Sequence, residues 1–412
     1  MPRFGLLGEH LSHSFSPIIH AELGDYEYKL FEKKPEELDM FFKQGDFNGL
    51  NVTIPYKKDV IKYCGSLSEL AGITGSVNTI IRLADGSLHG DTTDCFGFEY
   101  LLKRTKVDLA DGKVIVLGSG GSSHTVQTVL KNSGVKEIVV ISRSGADNYD
   151  NMEKHSDAIV IINTTPVGMY PNNGTSPIAD FDTFKSCRAV IDLIYIPPRT
   201  ELFFQAEKRE IPYASGLAML VAQAKKSAEQ FMRTTIADEK IESIASKIAK
   251  QTRNIVLIGM PGCGKSSIGA ELAKKMGRKF ADTDEVVTKT AGKPIPVIFS
   301  EDGEDAFRKM ENYALNELCK NSGLVIATGG GIVKRPDNNK TIRQNGVVFF
   351  LDRDISELPV SGRPLSERDG LAAIAAERLP VYSMWSDYAV TVCGVEQTAA
   401  DIYNQYHGGA YF

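Results

Sequence analysis

At 412 residues the chain is longer than one hydrophobic core ordinarily holds, which points to two or three domains. Its 47 basic and 52 acidic residues leave a net charge of -5, with no sign of the polyanion-binding surface that nucleic-acid proteins carry, so a small-molecule role is favoured. Cys64, Cys95, Cys187, Cys263, Cys319 and Cys393 form no CxxC pair, no stretch approaches the roughly 20 apolar residues that span a bilayer, and the chain is expected to be cytoplasmic with reduced thiols and no membrane partner.

Four polar clusters come first: Ser12-His13-Ser14-Phe15-Ser16-Pro17, Asn51-Val52-Thr53-Ile54-Pro55-Tyr56-Lys57, Ser76-Val77-Asn78-Thr79 and Asp91-Thr92-Thr93-Asp94. Each gathers hydroxyl, amide or charged groups where an element ends. Several short polar side chains on one rigid wall suit a polyhydroxylated carboxylic acid, because each ring hydroxyl takes its own hydrogen bond. The β-branched runs Val114 to Leu117, Ile138 to Ile141, Ala158 to Ile162 and Ala189 to Asp192 then predict buried parallel strands. The first of these runs straight into Gly118-Ser119-Gly120-Gly121-Ser122-Ser123 and a helix-compatible stretch, His124 to Asn132. That is the setting of a dinucleotide loop, where backbone amides around Gly118, Gly120 and Gly121 and the helix N-terminus receive a pyrophosphate. After the second run, Ser142-Arg143-Ser144 stands where an acid would hold the ribose hydroxyls of NAD. An arginine between two hydroxyls suits a 2′-phosphate instead, so NADP(H) is the expected cofactor.

From Ala237 to Arg253, Ala, Lys, Glu and Ile recur at helical spacing without Pro or Gly, predicting a short, stiff junction near Gln251. A second parallel series follows in Ile255 to Ile258, Leu324 to Ala327 and Val347 to Leu351. Between the first of these and a helix lies Gly259-Met260-Pro261-Gly262-Cys263-Gly264-Lys265-Ser266, a complete Walker A loop. Amides around Gly262 and Gly264 would wrap the phosphates of ATP, Lys265 would reach the β- and γ-phosphates, Ser266 would ligate Mg2+, and Ser267 would join the nucleotide contacts. Further on, Arg308 and Glu311 lie three apart on a helix, so the carboxylate can hold the guanidinium ready for an anionic substrate. No internal repeat relates the two strand series, which read as distinct units.

In order and spacing, the first set of motifs resembles shikimate dehydrogenase from Phe4 to about Gln230, with Asn163 to Met169, Asp192 to Pro197 and Gly216 to Gln223 extending the match. The second set, in which the Walker loop is followed by Asp282-Thr283-Asp284, Phe307 to Glu311, Gly329-Gly330-Gly331, Gly362-Arg363-Pro364-Leu365 and Arg378 to Tyr382, is similar to shikimate kinase. The resemblance implies an α/β architecture: an N-terminal α/β substrate domain and a Rossmann-like NADP domain, followed by a P-loop NTPase-type parallel α/β kinase domain. The implied division is a dehydrogenase over 1–250 (1–104 and 215–250 substrate-binding, 105–214 NADP-binding) and a kinase over 251–412.

It further implies that Ser14 and Ser16 hold the substrate carboxylate, that Thr53, Asn78, Asp94 and Gln223 address ring hydroxyls with Tyr195 nearby, that Lys57 and Asp94 are the catalytic pair, and that Gly216 borders the cofactor. In the kinase, Arg308 and Arg378 would clamp the shikimate carboxylate and the backbone at Gly330 would approach the ring. Asp284 would take the acceptor hydroxyl as base or orienter, Asp282 would join Ser266 at Mg2+, and Arg363 would be the lid arginine acting with Lys265 on the phosphoryl group. The implied function is a bifunctional enzyme of chorismate and aromatic amino-acid biosynthesis. It would reduce 3-dehydroshikimate with NADPH and phosphorylate shikimate with ATP to shikimate 3-phosphate. Two other readings stay open: a shikimate- or quinate-sensing regulator that binds without chemistry, and a quinate/shikimate dehydrogenase using NAD. Oligomeric state and the relative orientation of the halves do not follow from the sequence.

Overall fold

Short β-branched runs, fully withdrawn from solvent, form the frame of the computed structural model, which describes residues 3–11, 14–110, 112–359 and 370–409. The chain divides into two compact units, Met1–Ala245 and Ser246–Phe412.

The first unit holds two sheets. Its N-terminal sheet has six strands, β1 (Arg3–Gly8), β2 (Glu27–Glu32), β3 (Gly49–Val52), β4 (Ser66–Leu67), β5 (Thr79–Arg82) and β6 (Leu88–Asp91), in the order β2-β1-β3-β5-β6-β4. This sheet is mixed: β1 runs parallel to both neighbours, whereas β5 is antiparallel to β3 and β6. Helix α1 (Ser16–Leu23) precedes β2, and α2 (Asp94–Arg104) follows β6.

The second sheet is all parallel, built from β7 (Lys113–Leu117), β8 (Glu137–Ile141), β9 (Val160–Asn163), β10 (Ala189–Asp192) and β11 (Tyr213–Ser215) in the order β11-β10-β9-β7-β8. The predicted runs fall on β7 to β10, with β9 starting at Val160 rather than Ala158. Strands β9 and β10 are fully buried along their length, as strands covered on both faces must be. Helix α3 (Gly121–Asn132) leaves β7, and α4 (Leu217–Met232) returns the chain to the N-terminal sheet and packs along α2. Helix α5 (Glu239–Thr252) buries Ile241, Ile244, Ala245 and Ile248 at helical spacing. The two units part within it, between Ala245 and Ser246, with Gln251 in its last turn.

The second unit carries one parallel sheet of β12 (Asn254–Ile258), β13 (Phe280–Asp282), β14 (Val325–Ala327), β15 (Gly346–Asp352) and β16 (Tyr388–Thr391), ordered β13-β14-β12-β15-β16. Its core centres on Ile255 to Ile258, Val347 to Leu351, Leu272 and Tyr382. Around it lie α6 (Lys265–Met276), α7 (Thr283–Ala291), α8 (Gly303–Cys319) and α9 (Leu371–Trp385). Among the described residues no helix is long and apolar enough to cross a membrane. Arg363 lies outside the described residues.

Candidate active sites

In the first unit, the start of α1, the loop after β3, the entry to β5 and the middle of α4 converge on a cavity of about 340 Å³ whose lining includes Ser14, Ser16, Thr53, Lys57, Asn78, Tyr195 and Gln223. Asp94, the first residue of α2, stands behind this wall and is buried. The Lys57 ammonium donates to Asp94 Oδ2 at 2.5 Å. Asn78 Nδ2 donates to Asp94 Oδ1 at 2.9 Å and to Gln223 Oε1 at 3.3 Å. Its carbonyl oxygen meanwhile accepts from the Thr93 amide at 2.7 Å and from Thr79 Oγ1 at 3.0 Å. With that oxygen saturated, the Asn78 amide has one orientation, and Asp94 is left a single oxygen for Lys57. The structure thus gathers all eight predicted substrate-site residues of this unit around one concavity.

Two polar lining residues went unforeseen, His10 and His20, and a third, Asn51, stood in one of the polar clusters without a role of its own. His20 is buried on α1, its Nδ1 lies 2.6 Å from Tyr26 Oη, and its ring stacks on Tyr28 with centroids 3.9 Å apart. Burial holds its imidazole down at about 3, outweighing the opposite pull of Asn51, so it is neutral at physiological pH. Tyr28 Oη donates to Asn51 Oδ1 at 2.8 Å. His20 lies four residues after Ser16, one helical turn along the same face, and that spacing was the signal available for it.

The predicted cofactor residues sit along one edge of the parallel sheet. Pairing sets Ile141, Leu117, Asn163, Asp192 and Ser215 in a row at the carboxyl ends of the strands, so Ser142, Gly118, Thr164, Leu193 and Gly216 come next in each loop. That edge is where open α/β sheets bind ligands. Gly120 stands at the N-cap of α3 and, as glycine, offers no side chain to the first amides, and beside Gly120 and Gly121 there is open space, so an anion has room to approach the start of the helix. Arg143 and Ser144 are exposed on the loop after β8. That loop is closed by Ser142 N donating to Asp147 O at 3.2 Å and by His155 Nε2 at 2.9 Å from Asp147 Oδ1. Uncapped amides with an exposed guanidinium fit a dinucleotide carrying an extra phosphate.

In the second unit, the loop Gly259 to Gly264 joins β12 to α6, and Gly259, Gly262 and Gly264 all have positive φ. Lys265 is buried, its ammonium donating to the carbonyls of Gly259 at 2.9 Å and Met260 at 2.8 Å. Ser266 and Ser267 are exposed on the first turn of α6. Ser266 Oγ donates to Asp282 Oδ2 at 2.5 Å, and Asp282 Oδ1 caps α7 by accepting from Asp284 N at 2.9 Å. A hydroxyl and a carboxylate oxygen side by side at the phosphate loop are donors of the kind a hard cation such as Mg2+ takes.

The acceptor residues meet at the turn Gly329 to Gly331. Arg308 Nη1 donates to Glu311 Oε2 at 2.7 Å, and Arg378 Nη1 donates to the Gly330 carbonyl at 3.0 Å, as does Tyr382 Oη. A methyl at position 329 would lie 2.3 Å from Glu311 Oε1 and 2.9 Å from Asp284 Oδ1, and one at 331 would lie 2.1 Å from Arg308 Nη1, so only glycine admits these groups. Asp284 Oδ1, Glu311 Oε1, Arg308 Nε and Arg378 Nε are buried without a hydrogen-bond partner among the described residues. Two acceptors and two donors orphaned at one turn fit a ligand that carries both carboxylate and hydroxyls. Burial first, then the charges of Asp282 and Glu311, push the Asp284 carboxyl up to about 6 against Lys265 and Arg308. A separate cavity of about 320 Å³ adjoins the glycine loop, bounded by Cys263, Gly264, Arg353, Val392, Cys393 and Val395, and was not anticipated because its walls come from that loop and from the segments after β15 and β16, far apart in sequence.

A family model described as "Shikimate dehydrogenase substrate binding domain" matches residues 6–80, and one described as "Shikimate kinase" matches residues 261–406. The chain is 37% identical over 260 residues to a shikimate dehydrogenase (NADP(+)) of Clostridium beijerinckii, covering 58% of this chain and 95% of that relative. Among solved structures it resembles a chorismate mutase/shikimate 5-dehydrogenase fusion protein from Clostridium acetobutylicum, at 35% identity and TM-score 0.57, covering 60% of this chain and 97% of that one. It also resembles the shikimate 5-dehydrogenase of Thermus thermophilus in complex with NADP(H) and shikimate, at 27% identity and TM-score 0.55, covering 60% and 99%.

Proposed function

The chain belongs to the shikimate dehydrogenase family and carries a shikimate kinase domain, and on that premise we propose that it catalyses two consecutive reactions: NADPH-dependent reduction of 3-dehydroshikimate to shikimate, then transfer of the ATP γ-phosphate to the 3-hydroxyl so formed. Residues 1–250 would form the dehydrogenase, with 1–104 and 215–250 holding substrate and 105–214 holding NADP(H), and residues 251–412 the kinase. The observation that carries the reading is the presence in one chain of two glycine loops, each leading into a helix, each in a unit with its own cluster of substrate-site residues: Lys57 and Asp94 in the first, Asp284, Arg308 and Arg378 in the second.

In the first site the nicotinamide, when bound, supplies the hydride. Ser14 and Ser16 hold the carboxylate, while Thr53, Asn78, Gln223 and Tyr195 orient the ring and its hydroxyls. The Lys57 ammonium stabilises the charge that builds on the C3 oxygen and delivers a proton to it. Asp94, itself aligned by Asn78, aims that ammonium.

In the second site Arg308 and Arg378 clamp the carboxylate near the backbone at Gly330, and Asp284 accepts the proton of the attacking hydroxyl. An Asp284 carboxyl raised to about 6 is still ionised at neutral pH yet basic enough for that task. Gly262, Gly264, Ser267 and Lys265 hold the phosphates, and the family resemblance gives Arg363 the part of the lid arginine that neutralises charge on the transferred group. Ser266 and Asp282 would hold Mg2+, which when bound neutralises phosphate charge.

Incubation of the purified chain with shikimate and either NADP+ or NAD+ tests the first half. Faster reduction of NADP+ is expected, and faster reduction of NAD+ would overturn the cofactor assignment.

A further inference from the structure

Asp192 ends β10 and pairs in register with Asn163, which ends β9. Its carboxylate is fully buried, and among the described residues no ionised side chain bonds to it. Instead three different segments donate to it: Asn163 Nδ2 at 3.0 Å, the Ile194 amide at 3.1 Å and Thr200 Oγ1 at 2.8 Å. Burial pushes this carboxyl up to about 7, against all three of those bonds. A buried acid without a counter-charge is a costly way to fill space, and it sits at the ligand-binding edge of the sheet rather than in the middle of the core.

The segments it joins are the ones that shape the cleft. Asn163 passes the constraint on, its Oδ1 accepting from Thr165 N at 3.0 Å and Thr165 Oγ1 at 2.7 Å. Thr164 Oγ1 donates to the Leu117 carbonyl at 2.7 Å, and the Gly118 turn rests on these two threonines so closely that a methyl on Gly118 would lie 2.8 Å from Thr165 Cγ2. On the other side, the Ile194 amide is fixed one residue before Tyr195, which lines the substrate cavity. Leu193, next to Asp192, presents its carbonyl to Gly216, where a methyl would lie 2.0 Å from it.

We infer that Asp192 is a positioning residue for hydride transfer, holding the Gly118 turn, the Tyr195 loop and Gly216 in mutual register through Asn163, the Ile194 amide and Thr200. This rests on the dehydrogenase reading above. The two carboxylate oxygens have separate duties. Oδ1 serves the threonine loop and the Tyr195 loop, and Oδ2 serves Thr200 at the start of the following helix.

The test uses the full-length chain with Asp192→Ala, Asp192→Asn and Thr200→Val. It follows NADP+-dependent shikimate oxidation and, in the same preparations, ATP-dependent shikimate phosphorylation. Asp192→Ala is expected to lower dehydrogenase kcat roughly tenfold or more and raise KM for both NADP+ and shikimate, with phosphorylation unchanged. Asp192→Asn restores most of the rate, because its oxygen still accepts from Asn163 and Ile194 while its amide donates to the Thr200 hydroxyl. Thr200→Val should fall between wild type and alanine, and it decides the matter if Asp192→Ala does not fold. Wild-type kinetics in a folded Asp192→Ala or in Thr200→Val, or equal loss in the Asn and Ala variants, would overturn the inference. A wild-type chain that does not oxidise shikimate would instead overturn the dehydrogenase reading itself.

Discussion

Replacing Gly331 by alanine perturbs the proposed kinase acceptor site without replacing a charged residue. The added methyl would stand 2.1 Å from Arg308 Nη1 and 2.3 Å from Cζ and Nη2, so the guanidinium must retreat by more than an ångström to reach ordinary contact. Retreat is opposed by the bond to Glu311 at 2.7 Å and the longer one to Glu304 at 3.3 Å, and Glu311 is itself buried. The displaced arginine then loses a charge-assisted hydrogen bond to the acceptor carboxylate, worth about 1.5–3 kcal/mol. At about 1.4 kcal/mol per tenfold, kcat/KM for shikimate phosphorylation should fall roughly 10- to 150-fold. Because the carboxylate is held alike in the ground and transition states, most of the loss should appear in KM. ADP release measured across a shikimate titration gives both parameters, and shikimate oxidation by the same sample reports on folding and concentration. An unchanged KM for shikimate in folded protein would refute the placement of Arg308 against the acceptor.

Separation of the two sites is expected from single lysines: Lys57→Ala should cut NADP+ reduction by about 10²-fold or more and leave phosphorylation intact, while Lys265→Ala does the reverse, as two spectrophotometric assays on each variant would read. Ser266→Ala should raise the Mg2+ concentration needed for half-maximal phosphorylation several-fold, as a metal titration would show, because it removes one of the two oxygens paired at 2.5 Å. The buried His20 makes a pH-dependent contribution to stability. Its folded value of about 3 lies below the ordinary 6.5, so its stabilising effect is fully present above about pH 6.5 and is lost as pH falls toward 3. At pH 5 the loss amounts to about 2 kcal/mol. Asp192, raised to about 7, acts with the opposite sign over the same range, so the bare stability profile is not diagnostic. His20→Phe should therefore gain on the wild type in thermal melts as pH drops from 7 to 5, and a constant difference between the two would contradict the neutral buried imidazole.

Features carried by contiguous residues were legible in the sequence. Both glycine loops could be placed between a strand and a helix because backbone amides, not distant side chains, make the anion site. The Arg308–Glu311 pair followed from helical spacing alone, and the two meet at 2.7 Å. The six-stranded mixed sheet was not foreseen, since β3, β5 and β6 are four residues each and mix polar with apolar positions, giving little period to read. Contacts that depend on register stayed hidden as well: Asn163 and Asp192 become neighbours only through the pairing of β9 with β10. Lys57 and Asp94 could be paired from the family resemblance, but their 2.5 Å contact depends on α2 beginning beside the loop after β3.

The central claim is that one chain performs both steps, and it is tested most directly in a single vessel containing the full-length protein, 3-dehydroshikimate, NADPH, ATP and Mg2+, with products identified by mass. The account predicts shikimate 3-phosphate formed with one NADPH and one ATP consumed per molecule, and arrest at shikimate when ATP is withheld. Oxidation of NADPH with shikimate left unphosphorylated, or ATP consumed regardless of shikimate, would contradict it.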